Sequence, residues 1–286
     1  LPELDEKADI SKLQAENGTY RKEAFLIQEK EGELLIAGTD RRGTIYGIYD
    51  FCEWLGVSPW YFFADVPVRR RSEAVIENGY CKVDYPSVEY RGIFINDEEE
   101  LEHWVWRYMG ETTIGVKTYE KIFELLLRLK LNYIWPAMHV NSFNLKQENG
   151  ALANRMGIVV GTSHCDMLMR SNNREWKPWL AKKGYTDVEY DFSIPGRNRE
   201  ILKEYWRESV EQNRDFEVSY TVGMRGIHDS GFETKSLEGL IGEELLKAKI
   251  ELLESVMAAQ QEILSETLDN EPMKTFVPYK EVLELY

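Results

Sequence analysis

The chain has 286 residues, 43% hydrophobic and 12% aromatic, enough apolar material for a sizeable core and well outside a disordered composition. Its 50 Asp and Glu against 35 Lys and Arg leave a net charge of −15, which argues against non-specific nucleic-acid binding, driven as that is by cations displacing phosphate counterions. The same charge repels polyanions at long range, so an acidic ligand needs a cation placed locally to receive it.

Residues 1–85 predict a small α/β domain. Glu23-Ala24-Phe25-Leu26-Ile27 reads as a strand, turned by Lys30-Glu31-Gly32-Glu33 into a hairpin partner, Leu34-Leu35-Ile36-Ala37-Gly38. Asp40 caps a helix in which Ile45, Ile48, Tyr49, Cys52 and Leu55 share a face, and Gly56 ends it. Trp60-Tyr61-Phe62-Phe63-Ala64 reads as a further strand, and Arg69-Arg70-Arg71 as a solvated turn.

From residue 86 to 286 the pattern alternates strand and helix, which calls for a parallel sheet. Helices are expected over Tyr119–Lys130, Leu152–Met156, Arg199–Asn213 and Glu243–Leu268. Their apolar stripes include Ile122, Phe123, Leu126 and Leu129 in the first, then Ile201, Leu202, Tyr205, Trp206 and Val210 in the third. Leu246, Ile250, Leu253, Met257 and Ile263 form the stripe of the fourth. Five short apolar strands each run into polar residues. Gly92–Ile95 meets Asn96-Asp97-Glu98, and Asn132–Trp135 runs through Pro136-Ala137-Met138 to His139. Gly157–Gly161 meets Thr162-Ser163-His164, Tyr220–Met224 meets Arg225-Gly226-Ile227-His228-Asp229, and Thr275–Tyr279 meets Lys280-Glu281. Chemistry at the carboxyl ends of parallel strands is how a (β/α) barrel builds its active site. Such a barrel needs eight strands, so the expectation is the first part, about five strands, of a TIM (β/α)8 barrel.

Cys52, Cys81 and Cys165 make neither a disulfide framework nor a zinc pattern, and no CxxC, HExxH, P-loop or GxGxxG occurs. No cofactor or metal is called for. No apolar run approaches the ~20 residues of a membrane helix. The N-terminal Leu-Pro-Glu-Leu-Asp has no signal-peptide pattern, which leaves cytoplasm and secretion both open.

Each strand-end group has a bland counterpart. Glu99 and Glu100 read as solvated surface, His139 and His164 as turn histidines, Arg225 and Asp229 as an ion pair holding a loop, and Glu281 as the start of a helix. Read together, two carboxylates on different strand ends suit glycosidic cleavage. One must protonate the leaving oxygen while the other activates water or attacks the anomeric carbon.

Gly38-Thr39-Asp40-Arg41-Arg42-Gly43-Thr44-Ile45-Tyr46-Gly47-Ile48-Tyr49, Gly56-Val57-Ser58-Pro59-Trp60 and Phe94-Ile95-Asn96-Asp97-Glu98 resemble blocks of glycoside hydrolase family 115. So do Asn132–Met138, Gly161-Thr162-Ser163-His164, Gly223-Met224-Arg225-Gly226 and Val277-Pro278-Tyr279-Lys280-Glu281, in order from about residue 34 onward. The resemblance implies a xylan α-1,2-glucuronidase that removes glucuronic or 4-O-methylglucuronic acid with inversion. It also implies a hexosaminidase-like small domain before the barrel, further domains beyond Tyr286, and a possible homodimer through them. Carried over by motif, Glu281 is the general acid and Asp229 assists the catalytic water, while Asn96, Asp97, His164 and Arg225 bind the sugar. The chain departs from the family at two places. His139 stands where relatives often have a tryptophan, and Ile227-His228 where the turn is commonly small and acidic, so His139 enters the substrate-binding set on position alone. Another exo-glycosidase of the same plan, or a carbohydrate-binding relative without catalysis, remains the alternative.

Overall fold

The computed structural model of the chain describes residues 8–96, 98–228, 230–231 and 234–285, the Glu281 side chain excepted. It divides into two compact units, Leu1–Gly92 with Glu120–Tyr133, and Ile93–Tyr119 with Ile134–Tyr286. The architecture is mixed α/β.

In the first unit, β1 (Phe25–Lys30) and β2 (Glu33–Gly38) form the expected antiparallel hairpin, closed at Lys30↔Glu33. Glu31 and Gly32 both take positive φ, the turn geometry that matches strand twist. A third strand, β3 (Cys81–Asp84), pairs antiparallel with the other edge of β1. Helix α1 (Arg41–Trp54) starts at Asp40, whose carboxylate accepts from the Gly43 N–H at 2.8 Å. Its glycines allow close approach to the sheet. A Cβ on Gly43 would lie 2.2 Å from the Ala24 carbonyl oxygen, and one on Gly47 would lie 2.7 Å from an Ile36 methyl.

The segment Trp60–Ala64 is a turn and not the expected strand. Tyr61 N–H bonds back to Ser58 O at 3.1 Å and Ala64 N–H to Trp60 O at 3.1 Å. Consecutive rings pack edge to face on one another, Phe62 against Phe63 at 5.3 Å, instead of alternating between two sheet faces. The third strand comes some twenty residues later, where Lys82 and Val83 can pair with β1.

The other strands are β4 (Gly92–Phe94), β5 (Tyr133–Trp135), β6 (Val159–Val160), β7 (Ser219–Val222) and β8 (Met273–Phe276). β4, β5 and β6 lie within the runs expected from sequence, while β7 begins one residue and β8 two residues before theirs. They pair in the orders β4-β5-β6 and β7-β8, and a parallel bridge between Val160 and Val218 links β6 to the residue before β7. Tyr133 N–H bonds to Arg91 O and Ile95 N–H to Trp135 O, so both chains advance together, and β7 and β8 are parallel in register. β6 and β7 are wholly buried, as inner strands of a parallel sheet should be, whereas β4 and β8 are partly exposed. Two of the hydroxyls buried in β7 find partners: Thr221 Oγ1 donates to Thr162 O at 2.5 Å, and the Ser219 and Thr275 hydroxyls meet at 2.6 Å.

The connecting helices are α2 (Glu99–Trp104), α3 (Val116–Arg128), α4 (Gln147–Met156), α5 (Trp176–Lys183), α6 (Arg197–Asn213) and α7 (Gly242–Thr267). On α6 the five stripe residues read from sequence are all buried. On α7 the phase differs. Leu252, Leu253, Val256, Ala259, Gln260, Ile263 and Leu264 face inward, while Leu246 is exposed, so the first turns of this helix contribute little to the core. The sequence expectation missed α2 and α5. A five-residue π-helical segment, Val105–Met109, follows α2 directly.

A prediction follows from α1. In an exposed helix interior Gly→Ala stabilises by up to about 1 kcal/mol. At Gly43 the added methyl meets a backbone oxygen that cannot swing aside, so overpacking wins. Gly43→Ala should lose about 1–3 kcal/mol in urea unfolding, and a gain in stability would show that α1 is not seated on β1 in this way.

Candidate functional site

The strand ends gather ionisable side chains because a parallel sheet points every strand the same way. At the end of β4, Asn96 is exposed, and Glu98, two residues on, is only 1% exposed. Glu98 Oε1 accepts the N–H groups of Val140 and Asn141 at 2.7 and 3.3 Å, fixing the loop after β5. In that loop His139 is half-buried. Its Nε2 lies 2.8 Å from Glu99 Oε1, its Nδ1 faces His228 Nε2, and its carbonyl accepts from Arg174.

After β6, Thr162 and Ser163 are buried and His164 is half-buried. The His164 ring lies 4.3 Å from the ring of Tyr279, which follows β8. The guanidinium of Arg225, after β7, lies 5.4 Å from the same Tyr279 ring, and Arg225 is 1% exposed. Gln260 of α7 aims both ends of its amide at Gly223, accepting from its N–H at 2.7 Å and donating to its carbonyl at 2.8 Å. That clamp sets the height of the β7 end, and with it the start of the Arg225 loop. Asn172 holds the other side of the loop, donating to Gly226 O and accepting from His228 N–H, both at 2.9 Å.

Of the residues expected from sequence, then, His164 and Arg225 meet on Tyr279, and His139 meets His228. Asn96 stands at the end of β4 in neither group. Asp97 and Asp229, and the carboxylate of Glu281, lie outside the described residues. The backbone of Glu281 belongs to a 3-10 turn, Lys280–Leu285. Sequence reasoning gave no role to Gln260, Asn172 or Glu98, and it took Glu99 for plain surface. Nothing local marks them, since each acts on a partner dozens of residues away.

Beneath the ends of β5 and β6 lies a second set of acids. Asp166 and Glu175 are both buried. Glu175 accepts from the Ser142 hydroxyl at 2.7 Å and the Ser171 N–H at 3.2 Å, with Arg170 3.1 Å away. Burial, which outweighs these partners, pushes its carboxyl up. For Asp166 burial, reinforced by the charge of Glu175, pushes the carboxyl from 3.8 up to about 8. Asp166 also lines a cavity of about 10 Å³ with Thr162, Ser163, Ala137 and Met138, room for one water at most.

Two larger cavities, about 270 and 220 Å³, belong to the first unit and are lined by such residues as Phe51, Trp54 and Tyr80, and Tyr46, Arg91 and Lys130. Neither contains a strand-end residue, so volume and chemistry point to different places. The clustered ionisable groups are the better guide to catalysis. Among the described residues no three His, Cys, Asp or Glu side chains are grouped to hold a metal ion, and no helix is long and apolar enough to cross a membrane.

Comparison with known proteins bears on this arrangement. The model of glycosyl hydrolase family 115 matches residues 83–286. The chain is similar to a solved family GH115 4-O-methyl-α-glucuronidase, BtGH115A, with specificity for decorated arabinogalactans, at 34% identity and a TM-score of 0.83. The match covers 98% of this chain and 35% of that one, so the chain spans about a third of that relative's length. A GH138 enzyme targeting pectin rhamnogalacturonan II matches at 16% identity and TM-score 0.44, over 92% of this chain and 30% of that one. A family 20 β-N-acetylglucosaminidase matches at 13% identity and TM-score 0.45, over 85% and 53%. Scores that low carry no argument. No curated protein matches.

Asp166 yields a pH prediction. Its folded pKa lies above its unfolded value, so between about pH 4 and pH 8 the folded chain keeps a proton that the unfolded chain has lost. Its contribution therefore falls as pH rises through that window and levels off above it. Asp166→Asn keeps the shape without the proton, so its melting temperature should fall less between pH 5 and pH 8 and exceed that of the parent at pH 8. Parallel curves for the two proteins would contradict a neutral, buried Asp166.

Proposed function

The chain belongs to glycosyl hydrolase family 115, and from that membership we propose that the protein is an exo-acting glycosidase releasing glucuronic or 4-O-methylglucuronic acid side chains from a branched polysaccharide. The observation that carries this reading is Arg225. A guanidinium is always charged and its fork fits a carboxylate. Here it is 1% exposed at a strand end, over the Tyr279 ring that His164 also meets, in a chain whose net charge is −15. A fixed cation in an acidic protein suits an acidic sugar.

The five strands serve, on this reading, as the first part of a (β/α)8 barrel over residues 86–286, preceded by a small α/β domain over 1–85. The parallel pairings of β4 with β5 and of β7 with β8 support it. Arg225 and His164 hold the uronate, and Asn96, Asp97 and His139 bind its hydroxyls. Glu281 protonates the leaving oxygen and Asp229 draws a proton from water, which attacks the far face of the sugar and inverts the anomeric centre. That geometry needs carboxyl groups about 6.5–9.5 Å apart. No cofactor takes part. Xylan is the main chain implied by the sequence motifs. The solved relative's preference for decorated arabinogalactans favours a second main chain for the same side-group chemistry.

The test is release of uronic acid by the full-length protein from glucuronoxylan and from glucuronate-decorated arabinogalactan, with the first-formed anomer read by NMR. An α-linked substrate should give the β-anomer first. Binding to either polymer without release would assign a non-catalytic carbohydrate-binding role instead.

Two variants probe the roles. Arg225→Ala should cost roughly 2–5 kcal/mol in kcat/KM on uronate substrates, as when a desolvated ion pair loses one partner, and much less on neutral glycosides. Equal losses on both would make Arg225 structural. Glu281→Gln removes the proton donor while keeping the shape, so it should slow natural linkages far more than activated aryl glycosides. Undiminished turnover on polymer would transfer the acid role to Asp97.

A further inference from the structure

Two histidines from different strand ends meet in space. His139, after β5, and His228, after β7, are 89 residues apart in sequence, yet His139 Nδ1 faces His228 Nε2 in hydrogen-bond contact. Their ring centres are 4.5 Å apart with planes inclined at 61°. The far nitrogen of His139 lies 2.8 Å from Glu99 Oε1. Carboxylate, imidazole and imidazole thus form one chain across the end of β6.

Both ends of the chain are held. Val140 and Asn141 are fixed by Glu98, and the His139 carbonyl by Arg174. The His228 backbone takes φ +58°, a conformation that histidine and asparagine tolerate better than most residues, and Asn172 accepts its N–H. The charged groups in contact with the chain are Glu99 at the start of α2 and, on the His139 carbonyl, Arg174 from the turn before α5, while Arg225 lies three residues before His228 on the same loop.

Hydrogen-bond logic limits what this chain can carry. With Glu99 accepting from Nε2–H, neutral His139 offers a lone pair at Nδ1, and His228 Nε2–H donates to it. One added proton turns one imidazole into a cation without breaking a bond. A second would set N–H against N–H and break the chain. The pair therefore takes up a single proton while it stays formed.

We propose that Glu99, His139 and His228 form a one-proton chain that lines the sugar site and adds a pH-dependent positive charge beside Arg225, making recognition of an acidic sugar tighter in its protonated state. His228 is here a specificity-determining residue and Glu99 a positioning residue. The inference rests on the proposed uronate specificity and names how that specificity varies with pH.

The experiment uses the full-length protein and two readouts. Ring ¹⁵N resonances of the histidines are followed against pH without ligand, and the affinity for free glucuronate is measured by calorimetry at pH 6 and pH 8. The rings of His139 and His228 should titrate together, taking up one proton between them. Affinity should fall on the order of tenfold as that charge is lost. His228→Asn keeps the backbone turn and an N–H donor but carries no proton, so its affinity should change little with pH and match that of the parent at pH 8. Independent titration of the two rings, or superimposed pH profiles for parent and variant, would overturn the proposal. If the rings titrate as a pair but glucuronate binds at neither pH, the uronate reading itself fails.

Discussion

Glu98 spends its charge where water cannot reach it, and the strand-end chemistry hangs on that choice. Removing a carboxylate from water costs several kcal/mol even after relaxation, a cost offset only by short, directed partners. Two backbone N–H groups from the loop after β5 answer Glu98 Oε1, while Oε2 has no hydrogen-bond partner among the described residues. The residues on either side are Asp97 and Glu99, so one buried side chain ties the end of β4, the start of α2 and the loop bearing His139 into a single piece. A loop free to wander could not hold an imidazole within hydrogen-bond reach of a partner on another strand.

A second buried glutamate acts on the residues leading into the same strands. Glu23, 6% exposed, meets Arg42 at 3.2 Å, Arg91 at 2.5 Å and the amide of Asn132 at 2.8 Å. Arg91 precedes β4 and Asn132 precedes β5. Removing one partner from such a network leaves a buried charge uncompensated, typically worth 3–5 kcal/mol. This explains why Asn132, which looks like an ordinary polar residue before a strand, is 1% exposed, and why the Arg91 side chain is partly enclosed.

What could be read from the sequence was what repeats. The five strands and the stripe on α6 were legible because burial imposes a period, and the strand ends because apolar runs stop abruptly there. Trp60–Ala64 misled because aromatic residues favour strands only when two faces are available, and here the rings pack on one another. The phase of α7 misled because apolar residues continue into turns that face solvent, so hydrophobicity alone could not say where burial starts. His228, Glu99, Asn172 and Gln260 were illegible for another reason. Each takes its meaning from a single distant partner, and one sequence carries no periodicity for a pair. The glycosidase motifs identified a family; the contacts between distant positions required coordinates.

The amide of Gln260 shows how far importance and chemistry can diverge. It is fully buried, and it both donates to and accepts from Gly223. Asparagine is one carbon short of that reach, glutamate has no N–H to give, and an apolar side chain would leave both Gly223 backbone groups without a partner. Almost every codon change at this position therefore disturbs the strand end that carries Arg225. A mutational scan scored by sugar release would flag Gln260 as sharply as an active-site residue, although it lies in the middle of a helix and need never touch a sugar. Intolerance at position 260 would record the level at which one strand stops.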